Sequence, residues 1–335
     1  MAEALVEAAP GAVRALLVAD GLVLEAHLER SDAGPLPGAR HVARLAQVLV
    51  PGVRAIARLA CGTEVLLSPL PKTAEGGLVM LEISRAALPE AGRPRLARAR
   101  PLDDRIEASE PLEISAGPAL AARLAAAGHR LRTLPLLAQS DALEAAGWGE
   151  VMAEAESGHV RFEGGLLTIS LTPAMTVIDV DGALPPPALA EAACAPLAAA
   201  IRRLGLAGSI AIDFPTLQGA ARKTLDRQFA AALAAHLPQP FEVTTINGFG
   251  LVQLVRPHRH PGLMEAVRTP GHRALALLRE AARGGPGPAT LTGPPALVEW
   301  LEARPALLEE AARARGGALR LAKQPGLATS AAHVG

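Results

Sequence analysis

The sequence predicts a mixed α+β and α/β chain with a small antiparallel β-barrel set into it, on three observations. Asp20-Gly21 stands between two apolar runs in AVRALLVADGLVLEAHLE, a hairpin signal. Between Gly38 and Pro89, short alternating segments are broken by Pro-Gly, Cys-Gly and Gly-Gly, the spacing of a small barrel or sheet. From Met175 to Phe214 the order is strand, helix, strand, which implies a right-handed crossover with parallel strands.

Taken in order, the chain opens with the hairpin of residues 12–29, followed by the barrel strands HVARLAQVL, VRAIARLA, EVLLSPL and GLVMLEI. Residues 119–127 and 140–155 are helix-like, with strand-like RLRTLPLL between them. Glu163-Gly164-Gly165 then leads into LLTISLTP and MTVIDVDG, a second hairpin ending at Gly182. Pro187 suits the first turn of a helix running to Leu204, where Gly205 supplies the stop, and Pro196 inside it is expected to kink or shorten it. SIAIDF reads as a strand buried on both faces, and residues 219–236 as a helix. FEVTTINGFGLVQLVR gives two strand segments around Asn247-Gly248. A helix over 263–283, a linker at Gly284-Gly285-Pro286-Gly287-Pro288, a helix over 296–315, the short strand ALRLA and a loose polar tail from 325 complete the chain.

Composition bounds the function. With 335 residues, half of them hydrophobic, the chain can bury the core of two domains, or of one domain with an insertion. The formal net charge is zero, so nucleic-acid binding has to be argued from local sites rather than from a global basic field. Cys61 and Cys194 are far apart and in no C-x-x-C pattern, which suggests neither disulfides nor a tetrahedral zinc site and fits a reducing cytoplasm. No secretory signal and no membrane-spanning run is visible, so a cytoplasmic protein is expected. Aromatic residues make up only 2% of the chain, leaving few rings for stacking on bases.

The chemistry concentrates in two strands. In Ile178-Asp179-Val180-Asp181 the period of two sends both carboxylates to one face and the aliphatic residues to the core. With a parallel crossover, Asp213 in Ala211-Ile212-Asp213-Phe214 reaches the same carboxyl-terminal sheet edge, where ligands of open α/β sheets bind. Three carboxylates in one crevice would take up protons or hold a cation, and a hard divalent ion such as Mg2+ suits oxygen ligands and phosphodiester cleavage. The alternative reading makes Asp181-Gly182 a turn, with Asp179 and Asp213 as caps or strand-end residues.

At these residues the sequence resembles the ribonuclease E/G family. The resemblance rests on Val177-Ile178-Asp179-Val180-Asp181-Gly182 and Ile210-Ala211-Ile212-Asp213-Phe214, with four other anchors in matching order. These are Val18-Ala19-Asp20-Gly21, Gly164-Gly165-Leu166-Leu167-Thr168-Ile169, the run from Arg202 to Gly208, and Ile246-Asn247-Gly248-Phe249-Gly250-Leu251. It covers most of residues 12–260 and implies an RNase H-like and DNase I-like catalytic region with an inserted OB-type β-barrel. The implied divisions are an N-terminal RNase H-like hairpin (1–37), a degenerate OB-type barrel (38–100), the RNase H-like remainder (101–160), a DNase I-like catalytic subdomain (161–283), and a linker with a C-terminal helix and strand (284–335).

The resemblance also implies an endoribonuclease that cuts single-stranded RNA with Mg2+ held by Asp179 and Asp213, Asp181 standing where the family has asparagine. The family's 5′-monophosphate sensor insertion and C-P-x-C zinc link have no counterpart, so no zinc-linked dimer is expected. Other candidate RNA contacts are Arg222 and Lys223, on the helix after Asp213, and Phe249, which is either a stacking ring or a core residue. Arg93, Arg95, Arg98 and Arg100 read as a solvated face or a phosphate contact. Two functions follow: a hydrolytic endoribonuclease, or a non-catalytic RNA-binding or regulatory relative, which the Asp181 change, the absent sensor and the aromatic-free 38–89 segment would allow.

Overall fold

The computed structural model describes residues 2–90 and 95–335, a mixed α+β structure in which one sheet closes into a five-stranded barrel. The chain forms two compact units. One joins Met1–Arg30, Gly128–Pro257 and Gly262–Gly335; the other comprises Ser31–Ala127 with His258–Pro261.

In the second unit the barrel strands are Arg40–Val50, Arg54–Arg58, Glu64–Leu67, Leu78–Arg85 and Ala97–Pro101. Around the barrel their order is first, second, third, fifth, fourth and back to first, with only the third–fifth pair parallel. This closure is compatible with an inserted OB-type barrel. Alternation along the strands fills the interior with Ala43, Leu45, Ala57, Val65, Leu81 and Ala99. On the last strand Ala97 and Ala99 point inward, while Arg98 and Arg100 are exposed and Arg100 pairs with Glu82 at 2.9 Å. Arg95 pairs with Glu90 at 2.5 Å, so this stretch behaves as a solvated face; Arg93 lies outside the described residues. A further strand, Leu112–Ser115, pairs with Arg40–Val42. Residues 101–127 therefore stand with the barrel, against the expectation that 101–160 continues an RNase H-like part.

The first unit contains three sheets. Ala12–Ala19 and Leu22–Arg30 form the expected hairpin, and Asp20 and Gly21 both have positive φ (52° and 77°), as a two-residue type I′ turn requires. The hairpin does not open the chain. Glu3–Ala9 precedes it, antiparallel to Ala12–Ala19 and parallel to Arg130–Leu134.

The central sheet has six strands, in the spatial order His159–Phe162, Gly165–Leu171, Thr176–Gly182, Gly208–Asp213, Leu251–Arg256 and Glu242–Val243. Thr176–Gly182 and Gly208–Asp213 are parallel, joined by the helix Pro186–Arg203; the helix Gly219–His236 follows. Pro196 neither ends nor shortens the first helix. Buried Ala193, Cys194, Leu197, Ala198 and Ile201 on both sides of the proline hold that segment in the core, so packing outweighs the one lost backbone hydrogen bond.

Three predicted helices are interrupted. Residues 140–155 divide into Ala142–Ala145 and Trp148–Ser157 around Gly147 (φ 103°), residues 263–283 into Leu263–Val267 and Pro270–Arg283, and residues 296–315 into Pro295–Glu302 and Pro305–Arg315. Pro270 and Pro305 open new first turns, because proline disfavours helical backbone at the residue before it. The third sheet pairs Ala289–Gly293 with Leu319–Lys323 in parallel and with His333–Val334 antiparallel. The tail is thus a sheet edge rather than loose. The Gly-Pro stretch at 284–288 is a loop within this unit rather than a linker, since Leu278, Leu291, Leu301 and Ala311 from both sides of it share one core.

Candidate active site

Thr176–Gly182 alternates strictly, so buried Ile178 and Val180 pack beneath the crossover helices while Asp179 and Asp181 stand on the open face of the sheet. Gly208–Asp213 repeats the pattern, with Ile210 and Ile212 buried and Asp213 exposed. The parallel register aligns Asp179 with Asp213, so these two carboxylates are neighbours across one strand spacing, about 4.8 Å. Asp181 lies one pleat further along, about 6.6 Å from Asp179 along the strand.

The same registers map the rest of the open face. Thr168, Asp179, Asp213 and Leu251 form one row across four strands; Ser170, Val177, Ala211 and Gln253 form the next. The negative charge is therefore confined to the carboxyl-terminal end of the two parallel strands.

That concentration has an electrostatic signature. Burial raises the Asp179 carboxyl above the ordinary range, and the charge of Asp181, a hydrogen bond shared with Asp181 and the charge of Asp213 push it further the same way. Asp179 is the group on which the other two carboxylates converge. Among the described residues, however, no group of three or more His, Cys, Asp or Glu side chains is gathered closely enough to hold a metal ion by itself. Asp179 therefore has two neighbours, Asp213 across one strand spacing and Asp181 through a side-chain hydrogen bond, while the pleat keeps Asp181 and Asp213 from closing the expected crevice of three into one cage. An all-oxygen pair short of positive charge still fits Mg2+, which typically takes one or two carboxylates and keeps water for its remaining positions.

Positive charge stands nearby. Arg222 and Lys223 lie near the start of Gly219–His236, Arg222 half-buried and Lys223 exposed, and among the described residues neither pairs with a carboxylate. The alternative in which they bridge to acids of their own helix is therefore not what the helix does. An Arg222 Nη1 lies 3.5 Å from where a Cβ on Gly248 would sit, next to the turn that carries Phe249.

Phe249 is 80% exposed and so is not a core residue. The core phenylalanines here are Phe214 and Phe229, packed edge to face with centroids 5.2 Å apart. The turn that holds Phe249 out is tightly tied. Asn247 Oδ1 accepts from the backbone N–H groups of Phe249 (2.8 Å) and Leu251 (3.1 Å), and Asp226 Oδ1 accepts from Ile246 N–H (2.7 Å). Thr216 Oγ1 donates to the Phe249 carbonyl (3.3 Å) and Phe214 N–H to the Gly250 carbonyl (3.2 Å). Gly250 has φ 95°, and a Cβ there would fall 2.2 Å from the Phe214 carbonyl oxygen, so only glycine fits.

Asn247, Thr216 and Asp226 were not foreseen as parts of this site. The Asn247-Gly248 pair signalled a turn, but nothing local to the sequence indicated that the turn would close against the strand end at Asp213. A scan against protein-family models finds no match to this chain, and a search of curated proteins finds none either. Among the described residues no helix is long and apolar enough to cross a membrane.

Proposed function

We propose that the open sheet end bearing Asp179 and Asp213 is the active site of a metal-dependent phosphodiesterase. Within that class, the reading the residues support best is a magnesium-dependent endoribonuclease of the ribonuclease E/G type, acting on single-stranded RNA. One observation carries it: Asp179 and Asp213 are register partners at the carboxyl-terminal end of adjacent parallel strands, with Asp179 held above the ordinary carboxylate range. The RNase H-like and DNase I-like assignments for the parts of the first unit belong to the same proposal, as does the OB-type reading of the barrel as an RNA-binding module.

Asp179 and Asp213 would hold the Mg2+, which, when bound, offsets charge on the phosphoryl oxygens and lowers the pKa of an attacking water. Hydrolysis adds that water across the phosphodiester and breaks the P–O3′ bond, leaving a 5′-phosphate and a 3′-hydroxyl. Asp181, beside the pair on the same face of its strand, is placed to accept the proton the water gives up. Arg222 and Lys223 supply unspent donors for the non-bridging oxygens of the scissile phosphate or its neighbour.

A second reading, a non-catalytic RNA-binding relative, is favoured by the lack of a three-group metal cage among the described residues. A fluorescent single-stranded RNA, incubated with Mg2+ or with EDTA, separates the two. Cutting that needs Mg2+ and is lost in Asp179→Asn and Asp213→Asn, with RNA binding retained, is the expected result. Full activity in both variants would refute the nuclease reading, and binding without cutting in the native protein would select the second.

A further inference from the structure

Phe249 poses a problem that the carboxylate chemistry does not solve. An exposed ring forgoes the stabilisation that burial would bring, and a chain with five phenylalanines and no tyrosine has few rings to leave in water. Nor is the exposure that of a slack loop, because the turn is fixed on both sides by the bonds of Asn247, Thr216 and Gly250. Behind it stands Arg222, half-buried and without a carboxylate partner among the described residues. A rigid ring, an unspent guanidinium and a carboxylate pair therefore occur within one short stretch of surface.

We propose that Phe249 and Arg222 form a nucleotide clamp: the ring stacks on an unpaired base, and the guanidinium holds a phosphate of the same strand next to the Asp179–Asp213 pair. The clamp deepens the nuclease reading, on which its choice of RNA rests, by making strand separation the condition for engagement. In a duplex both faces of a base are occupied by neighbours, so the ring finds no partner; in a single strand every base has a free π-face. The turn offers the base no built hydrogen-bonding frame, since Asn247 Oδ1 is already spent on two backbone N–H groups. Selection at this position is therefore by stacking strength, purines over pyrimidines, and not by base identity. Leu251 and Val255, each 42% exposed, add apolar surface on the strand after the ring, but a protein partner is the weaker reading because Arg222 and the carboxylates stand with them.

Binding of a labelled 12-nucleotide oligoadenylate and of its duplex, measured by fluorescence anisotropy in EDTA so that nothing is cut, tests the clamp. Phe249→Ala is expected to weaken single-strand binding about tenfold, Phe249→Trp to match or exceed the native protein, and the duplex to bind weakly and indifferently to either change. Arg222→Ala should lower the slope of log affinity against log salt by about one. Phe249 is exposed, so both ring variants should keep the native thermal transition, and a lost fold would show there. Single-strand binding by Phe249→Ala within twofold of native, or a Trp variant as weak as the Ala one, overturns the clamp even if Mg2+-dependent cutting is seen. Loss of cutting with an intact Phe249 effect overturns the nuclease reading and leaves the clamp standing. An effect of Phe249→Ala confined to self-association or to a protein partner overturns it in favour of a protein interface.

Discussion

Glu7 is the residue whose removal should cost the first unit most. Its side chain is 2% exposed and its oxygens accept from Arg14 Nε (3.2 Å) and Nη2 (3.0 Å) and from Arg279 Nε (2.6 Å) and Nη2 (3.0 Å). Arg283 lies 3.9 Å away, and Asp141 bonds Arg279 and lies 3.6 Å from Arg14. The network ties the opening strand to the Ala142–Ala145 helix and to the Pro270–Arg283 helix.

Burial and the charge of Arg279 already pull the Arg14 guanidinium below its usual value, with Glu7, Asp141 and Glu144 opposing them. Glu7→Ala leaves Arg14 and Arg279, 8% and 11% exposed, with Asp141 between them and only the half-exposed Glu144, 3.3 Å from Arg14, besides. Breaking a buried pair by removing one partner costs about 3–5 kcal/mol. At about 2–4 °C per kcal/mol for a unit of this size, the thermal midpoint should fall by roughly 6–20 °C. Urea unfolding followed by far-ultraviolet circular dichroism measures the loss, and 1 M salt should leave most of it in place because the pair is shielded from solvent. A Glu7→Ala protein within about 1 kcal/mol of native would refute the argument that burial makes this carboxylate indispensable.

Two predictions concern the site. The raised Asp179 carboxyl favours the folded state at low pH, and that contribution is lost as pH rises through its folded pKa; over the same window protons compete with a cation, so Mg2+ affinity falls as pH drops. Asp181→Asn removes both the proton acceptor and a charge beside Asp179, so the maximal rate of Mg2+-dependent cleavage should fall and the acid limb of the remaining activity should move to lower pH; an unmoved limb would show that Asp181 does not act on Asp179. Gly250→Ala, with φ 95° and the Phe214 carbonyl in the way, should cost about 2 kcal/mol or more in unfolding experiments and displace the ring, weakening single-strand RNA binding beyond the loss of stability. Native binding and stability in that variant would show that the turn does not depend on its glycine.

Much of the site was legible in the sequence because strand alternation is a local property. Ile178, Asp179, Val180 and Asp181 announce their faces by type alone, and the helix over 219–236 was bounded correctly by its apolar period. Helix interruptions were harder to read. Pro196 lies within a helix whose flanking apolar residues are buried, whereas Pro270 and Pro305 begin helices, and a sequence holds no record of which neighbours will pack against a turn. The exposure of Phe249 was hidden for the same reason: Gly-Phe-Gly-Leu reads as core or as surface depending on which strand end it meets.

By itself the sequence determined the identity and face of each acidic residue, the mixed fold class and the position of the barrel, since each follows from side-chain period, turn chemistry and the handedness of a short crossover. Only the tertiary structure decided that Asp179 and Asp213 stand in register, that Asp181 lies one pleat off, and that a glycine-bounded turn holds Phe249 in water beside Arg222. Those relations depend on hydrogen-bonded register and close packing between residues far apart in the chain, which short-range patterns do not encode.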